Sequence, residues 1–375
     1  MDGGDIRAVV RVLKSPFLTQ GPEIAKFESD FAKFCQAKYA VACSSATAGL
    51  HLAAMVLGMG PGDLWWTSPN TFCATADAAL RCGARVNFID IEWGTYNMDL
   101  GLLEDRLKEA ARKNQLPKVV APVHFAGNPV DMEFLGKLRK KYGFRVVEDA
   151  AHAAGAELKG ERVGSCKWSD LCVFSFHAVK IITTGEGGMI TTNSMAFYDK
   201  LCRLRTHGIS RDPRHRVQSK KASWYYEKLE LGNHYRMTEI QAALGRSQLQ
   251  RIQPFRNQRG KIAEAYFKGL GQLSLDLPRL TPEARSAWHL YPVCVKKEEP
   301  FRDKVLARLH RAGVVGNLHY LSVPLFRYYR QSQKINFPCP QAAKFAAREI
   351  SLPIFPSLQA PCVKKVIATM KNSLK

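Results

Sequence analysis

The stretch FSFHAVKIITTGEGGMI, residues 174–190, decides how the chain is read. It continues DLCVFSFH (170–177), an apolar run that suits a buried strand. Ser175, His177 and Lys180 arrive where that strand ends. Three glycines in four residues (185–188) follow, and GMITTN (188–193) turns apolar again as a second strand. A solvated surface lysine needs no such setting. Desolvation lowers a lysine's proton affinity and frees the nucleophilic amine, so Lys180 reads as a candidate Schiff-base lysine. The glycines let the backbone turn sharply and lie close to a bulky planar group; they serve equally in a hairpin turn.

Working outward, strand-like and helix-like segments alternate from about 39 to 193. YAVAC (39–43) precedes a helix from Ala46 to about Leu57, and ARVNFIDI, KVVAPVHF and FRVVEDA are further strands with helical segments between them. Val-rich strands alternating with helices predict an α/β fold: a mostly parallel sheet covered on both faces. After about 245 the pattern changes. Residues 246–268 read as helical and basic, WHLYPVCV (288–295) and VVGNLHY (314–320) as strands, and FRDKVLARLHRAG (301–313) as a helix. The expected division is a large unit, 1–245, and a smaller C-terminal α+β unit, 246–375.

In a parallel sheet ligands sit beyond the carboxyl ends of the strands. Asp149 ends FRVVED, His124 ends KVVAPVH, and Ser175 and His177 end DLCVFSFH. The SSAT turn (44–47) offers helix-start N–H groups, with hydroxyls at Ser45 and Thr47, to a phosphate; Ser45 is equally a simple N-cap. A carboxylate at a buried strand end needs a cationic partner, which a pyridinium N–H or an arginine supplies for Asp149. Phe72 opens a helix, where its ring stacks on a flat heterocycle or packs in the core; His152 flanks the same heterocycle or is a satisfied core histidine. Together these are the parts that pyridoxal phosphate requires.

The bulk numbers narrow the class. The chain has 375 residues and a net charge of +22. Its basic residues are spread along most of the chain, with one cluster at 203–221, which favours an anionic small substrate over nucleic acid. Ten scattered cysteines without a Cys-x-x-Cys pair predict reduced thiols, a cytoplasmic protein and no metal site. The first 15 residues lack a signal-peptide core. Residues 39–62 hold no charged side chain, but their serines and closing Gly-Pro-Gly fit a strand and helix better than a membrane span.

From FLTQGPEIAKFE (17–28) through NLHYLSVPLF (317–326) the chain resembles the DegT-type family of sugar aminotransferases, fold-type-I pyridoxal phosphate enzymes. SSATAGLHLA, TSPNTFCATADAAL, VHFAGNPVDM, VVEDAAHAAGA, HYRMTEIQAALGRSQL and above all the 174–190 stretch carry the resemblance. Through FHAVKIITTGEGG, TYNMD and NLHYLSVP it is most similar to the UDP-4-amino-4,6-dideoxy-N-acetyl-β-L-altrosamine transaminases of pseudaminic acid biosynthesis. The resemblance implies that Lys180 bonds the cofactor, that Asp149 pairs with its pyridinium nitrogen and that Phe72 stacks on its ring. It implies that Ala46, Thr47 and Ser175 hold the phosphate and that His152 lies near the ring. Pro16, Phe17, Leu18, Thr19, Asn317, Leu318, His319 and Tyr320, with Ala46 and Ser175, would meet the sugar nucleotide.

It also implies a homodimer in which residues 233–236 reach the partner's site, where His234 would meet the cofactor's phosphate and the sugar nucleotide. Here His234 stands where the family usually has Asn, and the start is shorter than usual. L-Glutamate is the implied amino donor and a UDP-linked 4-keto sugar the implied acceptor. The alternatives are another nucleotide-linked sugar (dTDP or GDP) or a non-catalytic nucleic-acid binder. A sugar dehydratase is disfavoured because Lys180 is present.

Overall fold

The computed structural model describes residues 1–375 except 216, 218–223 and 334–336. Part of the basic cluster at 203–221 thus lies outside the described residues.

The large sheet has seven strands: β1 Tyr39–Cys43, β2 Leu64–Thr67, β3 Arg85–Phe88, β4 Val119–Ala121, β5 Arg145–Asp149, β6 Leu171–Ser175 and β7 Gly188–Thr192. Their order is β1-β7-β6-β5-β4-β2-β3. All pairs are parallel except those of β7, which runs against both β1 and β6. This is the mostly parallel sheet that the Val-rich strands predict. Alternate residues along a strand face opposite sides, and here both sides are apolar. Val41, Val173 and Ile190 enter one core with the helix Ala46–Val56, whereas Ala42, Phe174 and Met189 enter another with Phe27 and Phe31.

The helices end where local chemistry stops them. In α1 (Ala46–Val56) the Ser45 hydroxyl accepts from the Ala48 N–H and caps the start. The helix Met132–Tyr142 begins at Asp131, whose carboxylate accepts from Phe134 N–H, and stops at Gly143, which takes the left-handed conformation at φ 79°.

A second sheet, β8 Leu275–Asp276, β9 Tyr291–Val295 and β10 Glu349–Leu352, is antiparallel. Tyr291, Val293, Ile350 and Leu352 pack from it onto Tyr266, Val305 and Val366 of three helices. Two expectations change here. VVGNLHY is no strand: it makes one isolated bridge, Asn317 to Ser351, because the His319 N–H donates to the Glu349 carboxylate instead of a ladder. EISL, residues 349–352, pairs with β9. The basic helical run is also two helices, Glu239–Leu249 and Ile252–Leu270, interrupted at Arg251, whose guanidinium binds Asp5 at 2.5 Å. Position 245 lies inside the first of them. We propose the same two units with the joint at residues 250–251.

Candidate active site

A cavity of about 380 Å³ opens at the carboxyl ends of β5 and β6. The large sheet supplies Asp149, His152, Ser175 and Lys180; the start of α1 supplies Ala46 and Thr47; Phe72 stands at the rim; His289, His319 and Tyr320 close the other side. Phe72 is 59 % exposed, so its ring is available to a ligand rather than committed to the core.

Asp149 is buried. Its carboxylate accepts from the Thr75 hydroxyl (2.6 Å) and the Ala151 N–H (3.0 Å). Among the described residues no arginine or lysine pairs with it within 4 Å; its charge acts on Lys180 across the cavity. Burial pulls the Lys180 ammonium down to about 8, against the opposing attraction of Asp149. The amine lies 3.5 Å from His289 Nε2. His152 Nε2 meets the Tyr320 hydroxyl at 3.0 Å, while its buried Nδ1 has no partner among the described residues. Burial, with the Lys180 charge second, holds His152 and His289 well below the usual histidine range.

The first N–H groups of a helix have no partner inside it. Ser45 Oγ takes that of Ala48, leaving those of Ala46 and Thr47 toward the cavity with the positive end of the helix dipole. The strand β7 backbone passes so close that a Cβ on Gly188 would stand 2.6 Å from Ser45 C and 2.7 Å from Ala46 N. The glycine run therefore serves two local needs. Gly185 takes φ 78° in the turn, and Gly188 lets β7 press on the helix start.

The chain's likeness to known proteins adds to this geometry. The profile of the DegT/DnrJ/EryC1/StrS aminotransferase family matches residues 1–371. The chain belongs to this family. It is 33% identical over 384 residues to the UDP-4-amino-4-deoxy-L-arabinose–oxoglutarate aminotransferase of Shewanella sediminis, covering 99% of this chain and 96% of that protein. Its structure superposes on Helicobacter pylori PseC, an aminotransferase involved in the biosynthesis of pseudoaminic acid, with a TM-score of 0.90 at 30% identity, over 100% of this chain and 97% of that one. A Streptococcus pneumoniae protein described as a sugar aminotransferase, solved in its PMP form, gives a TM-score of 0.89 at 29% identity, over 100% and 97%. The chain is a sugar aminotransferase of fold type I that depends on pyridoxal phosphate.

The site fits that cofactor. A buried carboxylate lacking a cationic partner among the described residues suits a protonated ring nitrogen, the α1 start suits a phosphate, and Lys180 presents an amine of reduced basicity. The predicted residues divide in two. Ala46, Thr47, Phe72, Asp149, His152, Ser175, Lys180, His319 and Tyr320 line one cavity. Pro16, Phe17, Leu18, Thr19, His234, Asn317 and Leu318 do not line it within this chain. The Leu18 carbonyl accepts from the Glu239 N–H, with Phe17 and Leu18 half exposed, and His234 is exposed with its ring 5.4 Å from that of His207.

His124 is a correction. Its N–H still pairs with the Asp149 carbonyl at 3.0 Å, but the side chain turns inward to Glu148 (2.8 Å) while its Nδ1 accepts from the Val130 N–H. Sequence reasoning missed His289 and Thr75. Each is one polar residue in an apolar segment, with nothing local to distinguish a site residue from a core one. A cluster of metal-ligating side chains is absent among the described residues, and no described helix is long and apolar enough to cross a membrane.

Proposed function

We propose that this cytoplasmic aminotransferase moves the amino group of L-glutamate to the C4 keto carbon of a UDP-linked 4-keto-6-deoxy-N-acetylhexosamine. The product is UDP-4-amino-4,6-dideoxy-N-acetyl-β-L-altrosamine. One observation carries the reading: an amine held near neutrality, a buried carboxylate and an open helix N-terminus share one cavity. The sugar is supported by two relatives, one a UDP-4-amino-4-deoxy-L-arabinose–oxoglutarate aminotransferase and one an aminotransferase involved in the biosynthesis of pseudoaminic acid.

When bound, pyridoxal phosphate supplies a ring that accepts the electron pair left as a proton departs from the carbon bearing nitrogen. Asp149 keeps that ring's nitrogen protonated through its carboxylate. Thr75 and the Ala151 N–H fix the carboxylate's direction. The Ala46 and Thr47 amides with Ser175 hold the phosphate. Lys180 Nζ takes the proton from the donor's α-carbon and later returns one to the sugar's C4, a role that suits a tethered amine able to be neutral. Tyr320, hydrogen-bonded to His152, and His319 exclude water on the opposite side. We assign residues 16–19, His234 and residues 317–318 to the sugar-nucleotide surface of a homodimer, in which each active site is completed by the neighbouring copy.

The test is incubation of purified protein with glutamate and a panel of UDP-, dTDP- and GDP-linked keto sugars, read by mass. Amination of the UDP-4-keto-6-deoxy-N-acetylhexosamine above all others is expected. Preference for a dTDP or GDP sugar would overturn the substrate and leave the enzyme class standing.

A further inference from the structure

Glu349 and Ser351 stand two residues apart on β10 and so share a face of the small sheet. Glu349 is 1 % exposed. No lysine or arginine pairs with its carboxylate within 4 Å among the described residues. Instead Oε1 accepts from the Ser351 hydroxyl at 2.5 Å and Oε2 accepts from the His319 N–H at 2.8 Å. Ser351 Oγ lies 2.9 Å from His319 Nδ1. The bridge between Asn317 and Ser351 holds the two segments in this register. His319 lines the cavity, and its other nitrogen, Nε2, has no partner among the described residues. A carboxylate, a hydroxyl and an imidazole thus form one chain of hydrogen bonds from the buried small sheet to the cavity wall.

A hydroxyl between two such groups conducts in either direction, because it donates on one side and accepts on the other. With Glu349 ionised, Ser351 donates to Oε1 and accepts from His319 Nδ1–H, which leaves Nε2 a bare acceptor. With Glu349 protonated, Oε1–H donates to Ser351, Ser351 donates to a bare Nδ1, and Nε2 carries the hydrogen. We propose that Glu349, Ser351 and His319 are a proton relay, in which a proton accepted at His319 Nε2 is stored on the buried Glu349 carboxyl. The step balances. One N–H bond forms at Nε2, the Nδ1 proton passes to Ser351 Oγ, and the Ser351 proton passes to Oε1. The imidazole stays neutral throughout.

The surroundings favour storage at the far end. Burial pushes the Glu349 carboxyl up to about 8, while burial and then the Lys180 charge pull His319 down to about 4. The wall beside Lys180 therefore rejects an imidazolium but can pass its proton inward. Arg302 faces Glu349 from its backbone side, its guanidinium donating to the Ala346 carbonyl at 2.7 Å and reaching the Glu349 carbonyl at 3.4 Å. Cys294, opposite Glu349 on β9, together with Tyr96 and Tyr320, is raised by burial and stays neutral beside it. His152 and His289, on the Lys180 side of His319, are held neutral as well. In use, and here alone resting on the aminotransferase reading, the relay takes the proton that a donor's α-ammonium must lose before its nitrogen attacks, in the molecules whose Glu349 is ionised, which predominate above about pH 8.

The test is ¹⁵N-histidine NMR of the full-length protein, with and without pyridoxal phosphate, His319 being assigned by His319→Gln. On crossing pH 8 downward the hydrogen should move from Nδ1 to Nε2 without a doubly protonated ring. Glu349→Gln and Ser351→Ala should each abolish the exchange. In Ser351→Ala the Glu349 carboxyl band, identified in the infrared by its absence from Glu349→Gln, should still titrate. One tautomer on both sides of that pH in the wild type, or a switch that survives in Glu349→Gln, overturns the relay. Neither readout needs turnover, so a protein that aminates sugars with a fixed His319 tautomer loses the relay alone. One that switches without aminating loses the functional reading alone.

Discussion

The two walls of the cavity are built from different sheets and differ in charge. The wall at the ends of β5 and β6 carries an opposed pair, Asp149 and Lys180. The wall from the small sheet and its flanks carries His289, His319 and Tyr320, and burial keeps each of them uncharged near neutral pH. The difference teaches how the amine is tuned. Asp149 by itself would raise the basicity of Lys180; the desolvating cover outweighs it and brings the amine to about 8. The large sheet supplies the reacting groups, and the small sheet supplies the medium in which they react.

Removing the charged wall should have the largest effect. Lys180→Ala should reduce turnover by ~10⁴-fold or more, since both the covalent tether and the proton carrier go. Steady-state turnover with glutamate checks it. Asp149→Asn should cost about 10²–10³-fold in the glutamate half-reaction, with cofactor binding partly retained. Stopped-flow spectra separate the two.

The neutral wall is broken by charging it. His289→Asp puts a carboxylate where Nε2 now lies 3.5 Å from the amine. Lys180 should then lose neutral form. In the wild type, covalent capture of added cofactor should accelerate about tenfold per pH unit below about 8 and level off above it. In His289→Asp that break should move up by about 1–3 pH units. An unmoved break would show that the small wall does not set the amine's basicity.

The smallest expected effect is in stability. The Glu349 carboxyl titrates at about 8 in the folded chain against an ordinary value of 4.5, so the folded form holds the extra proton between those limits. Its contribution is present below pH 4.5 and is lost as pH rises through about 8. Gln does not titrate. Glu349→Gln should therefore gain relative to wild type across that window, with the larger gain at pH 9 than at pH 5 in urea unfolding. A gain that is equal at both pH values would contradict the shifted carboxyl.

The charged wall was legible in the residues themselves; of the neutral wall, His319 and Tyr320 came only through the family resemblance and His289 was missed. Asp149 and Lys180 follow apolar runs that announce buried strands, and a charge just past such a run has few reasons to be there. Ser45 and the helix behind it read from capping chemistry alone. His124 failed because a strand end fixes position, not side-chain direction: β4 stops at Ala121 and His124 turns to Glu148. His289, Thr75 and Ser351 come from segments far apart in the chain, and their meaning arises only from what folding sets opposite them. The strand expected at 314–320 failed for a similar reason, since the His319 N–H is claimed by a carboxylate 30 residues later.

The central claim is that one nitrogen, Lys180 Nζ, bonds the cofactor, and borohydride reduction of the cofactor-loaded protein followed by peptide mapping tests it most directly. The account predicts a single pyridoxyl label on the peptide containing Lys180, absent after glutamate has been added in excess. A label on a different lysine, or none on a protein that still turns over, would contradict it.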